Sequence, residues 1–182
     1  MSTNSSISHQ HLIEMRHYVA KVGMTASALR NLGGKGFVST AIVFLSQVDL
    51  GQLANLSPSA YPNWLDNQTN ALMGAFPVAN LWGPARKAVN IFMVMASLNE
   101  FLRSAYHLQQ FESVLEVPLD NTVEGKLRRF GRAQKVFSRV DFPKWTSIKK
   151  LDAINSAKYQ QIADVMARQR GIPRGRLDVA LF

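Results

Sequence analysis

Apolar residues recur every three or four positions along most of this chain, which is the spacing that places them on one face of an α-helix. The segment from Phe37 to Val48 is rich in β-branched residues, but it is long for a strand and shows no alternation, so a buried helix is favoured. Pro58 and Pro62 then interrupt the pattern, as turns between short helices do. The elements predicted in the first half are a helix from Leu12 to about Ala26 that ends before Gly33, a helix from Phe37 to Val48, short helices from Gly51 to Trp64 and a weak helix from Leu65 to Ala75.

The most regular amphipathic pattern lies in the second half, from Ala85 to Gln110, and it follows Gly83-Pro84, a pair suited to the start of a helix. Asp120 is placed to cap a further helix that runs to about Val136. The last predicted helices are Ile148 to Asn155 and Ala157 to Arg170, the second capped by Ser156 and ended by Gly171. Neither alternating strands nor tight hairpin turns are visible. We therefore predict an all-α protein, with a flexible polar leader over residues 1–10 and one compact helical domain over residues 11–182.

Composition narrows the chemistry that such a domain can perform. Hydrophobic residues make up 47% and charged residues 18% of the 182 positions, as in folded globular domains. The absence of cysteine excludes disulfides, thiolate catalysis, thiolate zinc sites and cysteine-ligated iron–sulfur clusters. The longest apolar run, Ile91 to Ala96, is far shorter than the roughly 20 residues of a membrane span, and the N-terminus lacks a signal-peptide pattern. We expect an intracellular protein, cytoplasmic and associated with the nucleoid, with no membrane partner.

Positive charge is concentrated in one stretch of the chain. The net charge is +9, and the 25 residues from Lys126 to Lys150 hold nine basic residues and one acid, Asp141, so they account for +8 of it. Aromatic residues are interleaved with these cations, and such a surface binds phosphates by releasing counterions. Nucleic acid is therefore the expected partner, and a solvated helix face is the alternative. A second basic cluster near the C-terminus consists of Arg168, Arg170, Arg174 and Arg176. It either extends this surface or binds the carbonyl groups at a helix C-terminus.

The segment from Leu81 to Asn90, with the sequence LWGPARKAVN, holds the strongest candidate chemistry. As a helix N-terminus it offers the N–H groups of Gly83 and Ala85 to a phosphate oxygen, and Arg86 adds charge. Lys87 falls in the first helical turn, where the helix dipole disfavours a protonated amine, so a nucleophile for Schiff-base chemistry is expected. Asp120 starts the next strong helix and can serve as a general base or stabilise a cation. The two helix N-termini are expected to converge on one cleft.

These segments resemble the helix-hairpin-helix DNA glycosylase superfamily, which contains the endonuclease III-like and 8-oxoguanine glycosylases. The family hairpin reads approximately Leu-Pro-Gly-Val-Gly-Arg-Lys-Thr-Ala-Asn, and the chain keeps Leu81, Gly83, Arg86, Lys87 and Asn90 in matching order. The segment from Pro118 to Val123 is similar to the family segment that carries the catalytic aspartate. The chain departs from the pattern in having Trp82 for proline, Ala85 for the second glycine and Asn121-Thr122 for Thr-His.

The resemblance implies a hairpin over residues 77–90 and a role for each matched residue. Lys87 would attack C1′ of the damaged nucleotide, and Asp120 would assist and stabilise the sugar cation. Gly83 and Ala85 would present their amides to the phosphate, with Arg86 beside them. Further DNA contacts are expected from the basic stretch, at Lys126, Arg129 and Arg132.

A flipped base needs a pocket with a stacking surface and polar groups that read its edge. The candidates for that pocket are Phe44, Gln47, Trp64 and Trp82. The four histidines show no metal-ligand spacing with acidic partners, and Gly33-Gly34-Lys35-Gly36 lacks the spacing of a P-loop. No metal and no cofactor are therefore expected.

The function predicted from the sequence is excision of a damaged or modified base from double-stranded DNA by a monomeric glycosylase with AP lyase activity. Oxidised purine such as 8-oxoguanine is the favoured substrate, and hypermodified bases of invading DNA compete with it. One alternative is a nonenzymatic helix-hairpin-helix DNA-binding protein that uses the same turn. The other is a basic assembly protein for ribosomes or phage particles.

Overall fold

The computed structural model describes residues 8–25, 29, 32, 35–76 and 81–181, and in those residues it contains helices and no strand, as predicted for an all-α chain. The α-helices are α1 (His9–Gly23), α2 (Phe37–Gln47), α3 (Gly51–Ala54), α4 (Tyr61–Ala75), α5 (Trp82–Leu98), α6 (Glu100–Ala105), α7 (Asn121–Ala133), α8 (Ala153–Gln169) and α9 (Leu177–Leu181). Short 3-10 helices lie at Pro58–Ala60, Leu108–Phe111, Ile148–Lys150 and Arg174–Arg176.

Two apolar clusters hold these helices together, and α5 lies between them. The first cluster joins α1, α2, α4 and most of α5. The second joins α7 and α8 with Ile148, Leu151 and Leu177, and Trp82 at the start of α5 packs against it. Every residue from Gly83 to Asn90 is buried, since this end of α5 is enclosed on all sides. The polar side chains in that stretch must therefore find partners inside the protein.

The long helix predicted from Ala85 to Gln110 is two helices. It begins earlier, at Trp82, and α5 ends at Leu98. Asn99 then takes an extended backbone conformation, and its side chain accepts a hydrogen bond from the N–H of Leu102, which caps α6. A short polar side chain that binds nearby backbone groups competes with the helical hydrogen bonds and can end a helix. The apolar spacing continues across Asn99, so the spacing alone does not reveal this break.

Other helix boundaries divide between confirmed and wrong predictions. Asp120 caps α7 and Gly171, with φ of +66°, follows the end of α8, both as predicted. The predicted helix from Ile148 to Asn155 is only a 3-10 turn, and Asp152 caps α8 in place of Ser156, which is buried inside that helix. The α1 helix begins at His9, within the predicted leader, because Ser8 caps it. The α1 helix ends at Gly23, about one turn before the end predicted near Ala26. Residues 1–7, Ala26 itself and the glycine pair at 33–34 lie outside the described residues.

Candidate active site and nucleic-acid interface

Lys87 and Asp120, 33 positions apart in sequence, lie against each other in the fold. The distance from Lys87 Nζ to Asp120 Oδ2 is 3.3 Å. Lys87 is almost fully enclosed, with 9% of its side chain exposed, whereas 31% of the Asp120 side chain is exposed. The pair can therefore be approached from solvent on its carboxylate side, and the expected convergence of these two side chains is observed.

Asp120 performs two tasks with its two carboxylate oxygens. Oδ1 accepts hydrogen bonds from the N–H groups of Thr122 and Val123, each at 2.9 Å, which caps α7. Oδ2 is left to face Lys87. Because the cap fixes the side chain on the first turn of a helix, the second oxygen is held in a defined position.

Lys87 lies in the second turn of α5 and not in the first turn as predicted, because the helix starts at Trp82. The field of a helix terminus falls off within one turn, so the expected effect of the helix dipole on the amine is weakened at this position. The neighbouring charge that the structure does place beside the amine is the carboxylate of Asp120.

The hairpin amides are not free to bind a phosphate, contrary to the prediction. The N–H of Ala85 donates to the carbonyl of Leu81 at 3.0 Å, and Ala85 is fully buried. Gly83 is buried against the 3-10 turn at Ile148–Lys150, where a Cβ atom on residue 83 would lie 2.0 Å from the carbonyl oxygen of Ile148. The glycine therefore permits close packing of two backbone segments. Residues 77–80 of the predicted hairpin lie outside the described residues.

Arg86 is buried and held by internal partners, which does not favour its predicted role as a DNA contact. Its Nε and Nη2 atoms each donate to Glu116 at 2.8 Å, and Nη1 donates to Asp66 at 2.7 Å and to the Thr69 hydroxyl at 3.1 Å. Only 9% of the side chain is exposed. Asn90 also donates to Glu116, at 3.0 Å. All three nitrogens of the guanidinium donate to these internal acceptors, so few N–H groups are left to bind a phosphate.

The charges around Arg86 balance its burial. Burial by itself lowers the pKa of this guanidinium, but the hydrogen bond and charge of Glu116, helped by Asp66, outweigh it and raise the pKa above its ordinary value. Sequence reasoning missed both acids. A basic residue inside an apolar helical stretch was the available signal, since a buried cation requires a carboxylate partner.

The basic residues of α7 are exposed, as expected for a phosphate-binding surface. A groove of about 560 Å³ follows this helix and is lined by Thr122, Gly125, Lys126, Arg128, Arg129 and Arg132. It begins beside Asp120, because Thr122 donates its N–H to that carboxylate. Arg128 forms an ion pair with the buried Glu124 at 3.4 Å. We refer to this surface as the α7 groove.

The C-terminal basic cluster mainly fastens the end of the chain. Arg174 donates to the carbonyls of Val114 and Leu115, and burial lowers the pKa of its guanidinium. Arg176 donates to Glu112 at 2.6 Å. Arg168 pairs with Asp164 on α8, and Arg170 donates to the carbonyl of Ala180 on α9, but both arginines are exposed. Internal contacts therefore occupy Arg174 and Arg176, whereas Arg168 and Arg170 lie at the surface.

The four residues predicted to line a base pocket do not share one surface. Trp64 is buried and stacks on Tyr61, and Phe44 packs against the first apolar cluster. Gln47 lines a separate cleft between α1 and the end of α2, whereas Trp82 packs against the second cluster.

The aromatic residue that the structure places beside Asp120 is Trp145. Its indole N–H donates to Oδ1 of Asn121, the residue that follows the aspartate, at 3.0 Å. Its position within the basic stretch was the signal for it in the sequence. Trp145 is half-buried, and its ring meets that of Tyr159 edge to face with centroids 5.7 Å apart, so it joins the residue next to Asp120 to the second apolar cluster.

Two further findings apply to the described residues, and a third concerns the whole chain. Over the described ranges, no histidine and carboxylate side chains gather in threes as a metal site requires. None of the helices described has the length and apolar content needed to cross a membrane. Comparison with protein-family models, curated proteins and solved structures found no match to the chain.

Proposed function

We propose that the protein is a DNA glycosylase with AP lyase activity, in which Lys87 is the nucleophile and Asp120 its catalytic partner. The observation that carries the proposal is the 3.3 Å contact between Lys87 Nζ and Asp120 Oδ2 at the mouth of an exposed basic groove. An amine that is sheltered from solvent, with a carboxylate beside it that can take up its proton and a basic groove nearby, is suited to covalent catalysis on a nucleotide.

The proposed reaction begins when the Lys87 amine gives up a proton to Asp120 and attacks C1′ of the target nucleotide. The N-glycosidic bond breaks, and its electron pair leaves with the base, which takes the proton held by Asp120. The C1′–O4′ bond then opens as Nζ gives a proton to O4′, which leaves a protonated imine between C1′ and Nζ. The Asp120 carboxylate removes a C2′ proton, the 3′ phosphate leaves by β-elimination, and water hydrolyses the imine to release the Lys87 amine.

DNA binding in this proposal uses α7 in place of the hairpin amides. Phosphates would contact the cations of the α7 groove, which begins one helical turn or less from Asp120. Trp145 would offer a surface for the extruded base. The substrate is a damaged or modified base in double-stranded DNA, oxidised purine being favoured, and the protein acts on it as a monomer in the cytoplasm, at the nucleoid.

Borohydride trapping tests the proposal, because it reduces the imine to a stable covalent adduct. Duplexes carrying 8-oxoguanine, uracil, thymine glycol, alkylated or glucosylated bases are incubated with the wild type and with Lys87→Gln, Lys87→Arg and Asp120→Asn. Lys87→Arg is the matched control, since it keeps a cation opposite Asp120 but forms no imine. Asp120→Asn keeps the helix cap, because Asn caps as well as Asp.

An adduct on one lesion in the wild type, lost in both Lys87 variants and reduced in Asp120→Asn, is the expected result. Neither adduct nor base release on any lesion, together with retained binding in all four proteins, would overturn the enzymatic assignment.

A nonenzymatic DNA-binding protein is the second candidate, and the closed ion pair at Lys87 favours it. A buried lysine neutralised by a helix cap can be purely structural. In that case Asp120→Asn removes a negative charge next to the α7 groove, and DNA binding is unchanged or tighter with no excision to lose.

A further inference from the structure

A second cavity lies at the far end of α7, away from the Lys87–Asp120 pair. Its volume is about 450 Å³, within the range of small-ligand pockets, and it is lined by Arg132, Lys135, Phe137, Arg139 and Phe142. It shares Arg132 with the α7 groove. Thr122 and Arg132 are ten residues apart on one helix, which places this cavity about 15 Å along the axis from the start of the groove.

Aromatic rings hold the cation at the centre of this cavity. The Arg132 guanidinium lies over the ring of Phe142, 5.4 Å from its centroid. Phe137 meets Phe142 edge to face, with centroids 6.5 Å apart, and Lys158 Nζ lies 5.7 Å from the Phe137 ring. The guanidinium is therefore supported by a ring on one side, and Arg132 as a whole is exposed, which leaves room beside it for a planar ligand.

The cations of the cavity take part in none of the ion pairs that the structure describes. Arg132, Lys135 and Arg139 are exposed, and the described ion pairs include none of them. The acid closest in sequence, Asp141, accepts a hydrogen bond from the Ser138 hydroxyl at 2.6 Å. A supported guanidinium plane with two further cations, Lys135 and Arg139, on the same cavity is suited to a ligand that is both aromatic and anionic.

We propose that this cavity binds one unpaired nucleotide of a nucleic-acid strand, with its base stacked on the Arg132 guanidinium and its phosphate between Lys135 and Arg139. Bases stack on aromatic rings and on arginine planes when they are unpaired, whereas in a duplex their faces are covered by neighbours. The inference rests on the nucleic-acid binding part of the proposed function and is independent of any chemistry at Lys87.

A free mononucleotide shares the chemistry of a strand nucleotide, so the test separates the two sources. Fluorescence anisotropy is measured on the Lys87→Gln protein, which cannot excise a base. The probes are a blunt duplex, the same duplex with a short thymidine overhang, and the same duplex with an abasic overhang of equal length. Thymidine monophosphate is added as competitor in a separate arm.

We expect the thymidine overhang to bind at least about fivefold more tightly than the abasic one, the lower end of what one base stack contributes. Arg132→Lys, which keeps the charge but loses the plane, abolishes that difference. Phe142→Leu, which removes the support of the plane, also abolishes it. Lys21→Ala, at an exposed lysine on α1, leaves it intact. If thymidine monophosphate abolishes the preference for the thymidine overhang over the abasic one, the cavity binds free nucleotides as well as nucleotides in a strand.

Equal binding of the two overhangs by the parent protein overturns the inference. It is also overturned if Arg132→Lys retains the full preference for the thymidine overhang, since the cavity then contributes charge alone. Thermal unfolding of each variant is measured alongside, so that a misfolded protein is recognised. Because no step requires excision, a failed trapping experiment at Lys87 leaves this result unaffected.

Discussion

Removal of Glu116 should destabilise the whole protein, although this residue lies within four positions of a proposed catalytic one. In Glu116→Ala the Arg86 guanidinium loses two hydrogen bonds of 2.8 Å and keeps only Asp66 and the Thr69 hydroxyl as partners. The side chains of Arg86 and Glu116 are 9% and 13% exposed, so water replaces the lost carboxylate poorly. The amide of Asn90 loses its acceptor in the same substitution.

The magnitude follows from that geometry. Removing one partner of a buried ion pair costs about 3 to 5 kcal/mol. Because Asp66, which is 57% exposed, still pairs with Arg86, we expect the low end of this range, a loss of about 3 kcal/mol in the free energy of unfolding. For a chain of this length each kcal/mol lowers the melting temperature by about 2–4 °C, so a fall of roughly 10 °C is expected in a thermal scan.

Two comparisons make the assay specific to the buried pair. Glu100→Ala, at an exposed glutamate, should change the free energy of unfolding by no more than about 0.5 kcal/mol. Replacing both members, in Arg86→Met with Glu116→Leu, should be less destabilising than Glu116→Ala, since no buried charge is left without its main partner.

The same variants distinguish a structural arginine from one that contacts DNA. If Arg86 bound a phosphate, Arg86→Met would reduce the salt dependence of duplex binding by about one counterion, as Arg129→Ala on the α7 groove is expected to do. We expect the slope to be unchanged in Arg86→Met. A loss of less than about 1 kcal/mol in Glu116→Ala, or a reduced slope in Arg86→Met, would refute the reasoning.

Three further predictions concern stability. Gly83→Ala should destabilise the protein by about 1–3 kcal/mol, because the added methyl group would lie 2.0 Å from the carbonyl oxygen of Ile148. Gly125→Ala should stabilise α7 by about 0.5–1 kcal/mol, because nothing lies within 4 Å of the added methyl group. The denaturant midpoints of the two variants should therefore shift in opposite directions. Asp120→Asn and Asp120→Ala should both destabilise, because each removes the carboxylate beside the buried Lys87 amine. Asp120→Ala should cost about 1 kcal/mol more, because it alone loses the helix cap, and equal melting temperatures of the two variants would contradict the capping role. Burial raises the pKa of Glu112, but two arginine side chains outweigh it and hold that pKa below its ordinary value of 4.5. A carboxyl group whose pKa is lower in the folded than in the unfolded protein stabilises the fold at pH values above its pKa in the unfolded chain. The stability advantage of the wild type over Glu112→Gln should therefore be complete near neutral pH and should disappear as the pH falls below 4.5. Unfolding measured at successive pH values checks this.

Much of the local structure followed from short-range patterns. The spacing of apolar residues predicted α2 and α5, and Asp120 was identified as the cap of α7 from its position alone. The break at Asn99 was missed because apolar spacing continues across it, and a single polar side chain decided between one helix and two. Such a competition involves a few tenths of a kcal/mol to about 1 kcal/mol, which periodicity does not register.

The chemistry at the candidate site was predicted only in part. The pairing of Lys87 with Asp120 was anticipated as a convergence of two helix N-termini, and the structure places them in contact. The free amides at Gly83 and Ala85 were wrong, since each is enclosed by packing or by a helical hydrogen bond. Trp145 was not selected because its neighbour Asn121 is 24 residues away in sequence.

The sequence by itself determined the all-α class, most of the helical segments, and the excess of positive charge with its concentration between Lys126 and Lys150. These features depend on composition and on neighbours within a few residues. Only the tertiary structure decided which charges face solvent. Arg86 and Arg132 are the same residue type on two helices, yet the first is buried and paired with Asp66 and Glu116, whereas the second is exposed and lines two cavities. The cost of burying a charge depends on partners that distant segments supply, so the chain must fold before the role of each arginine is set.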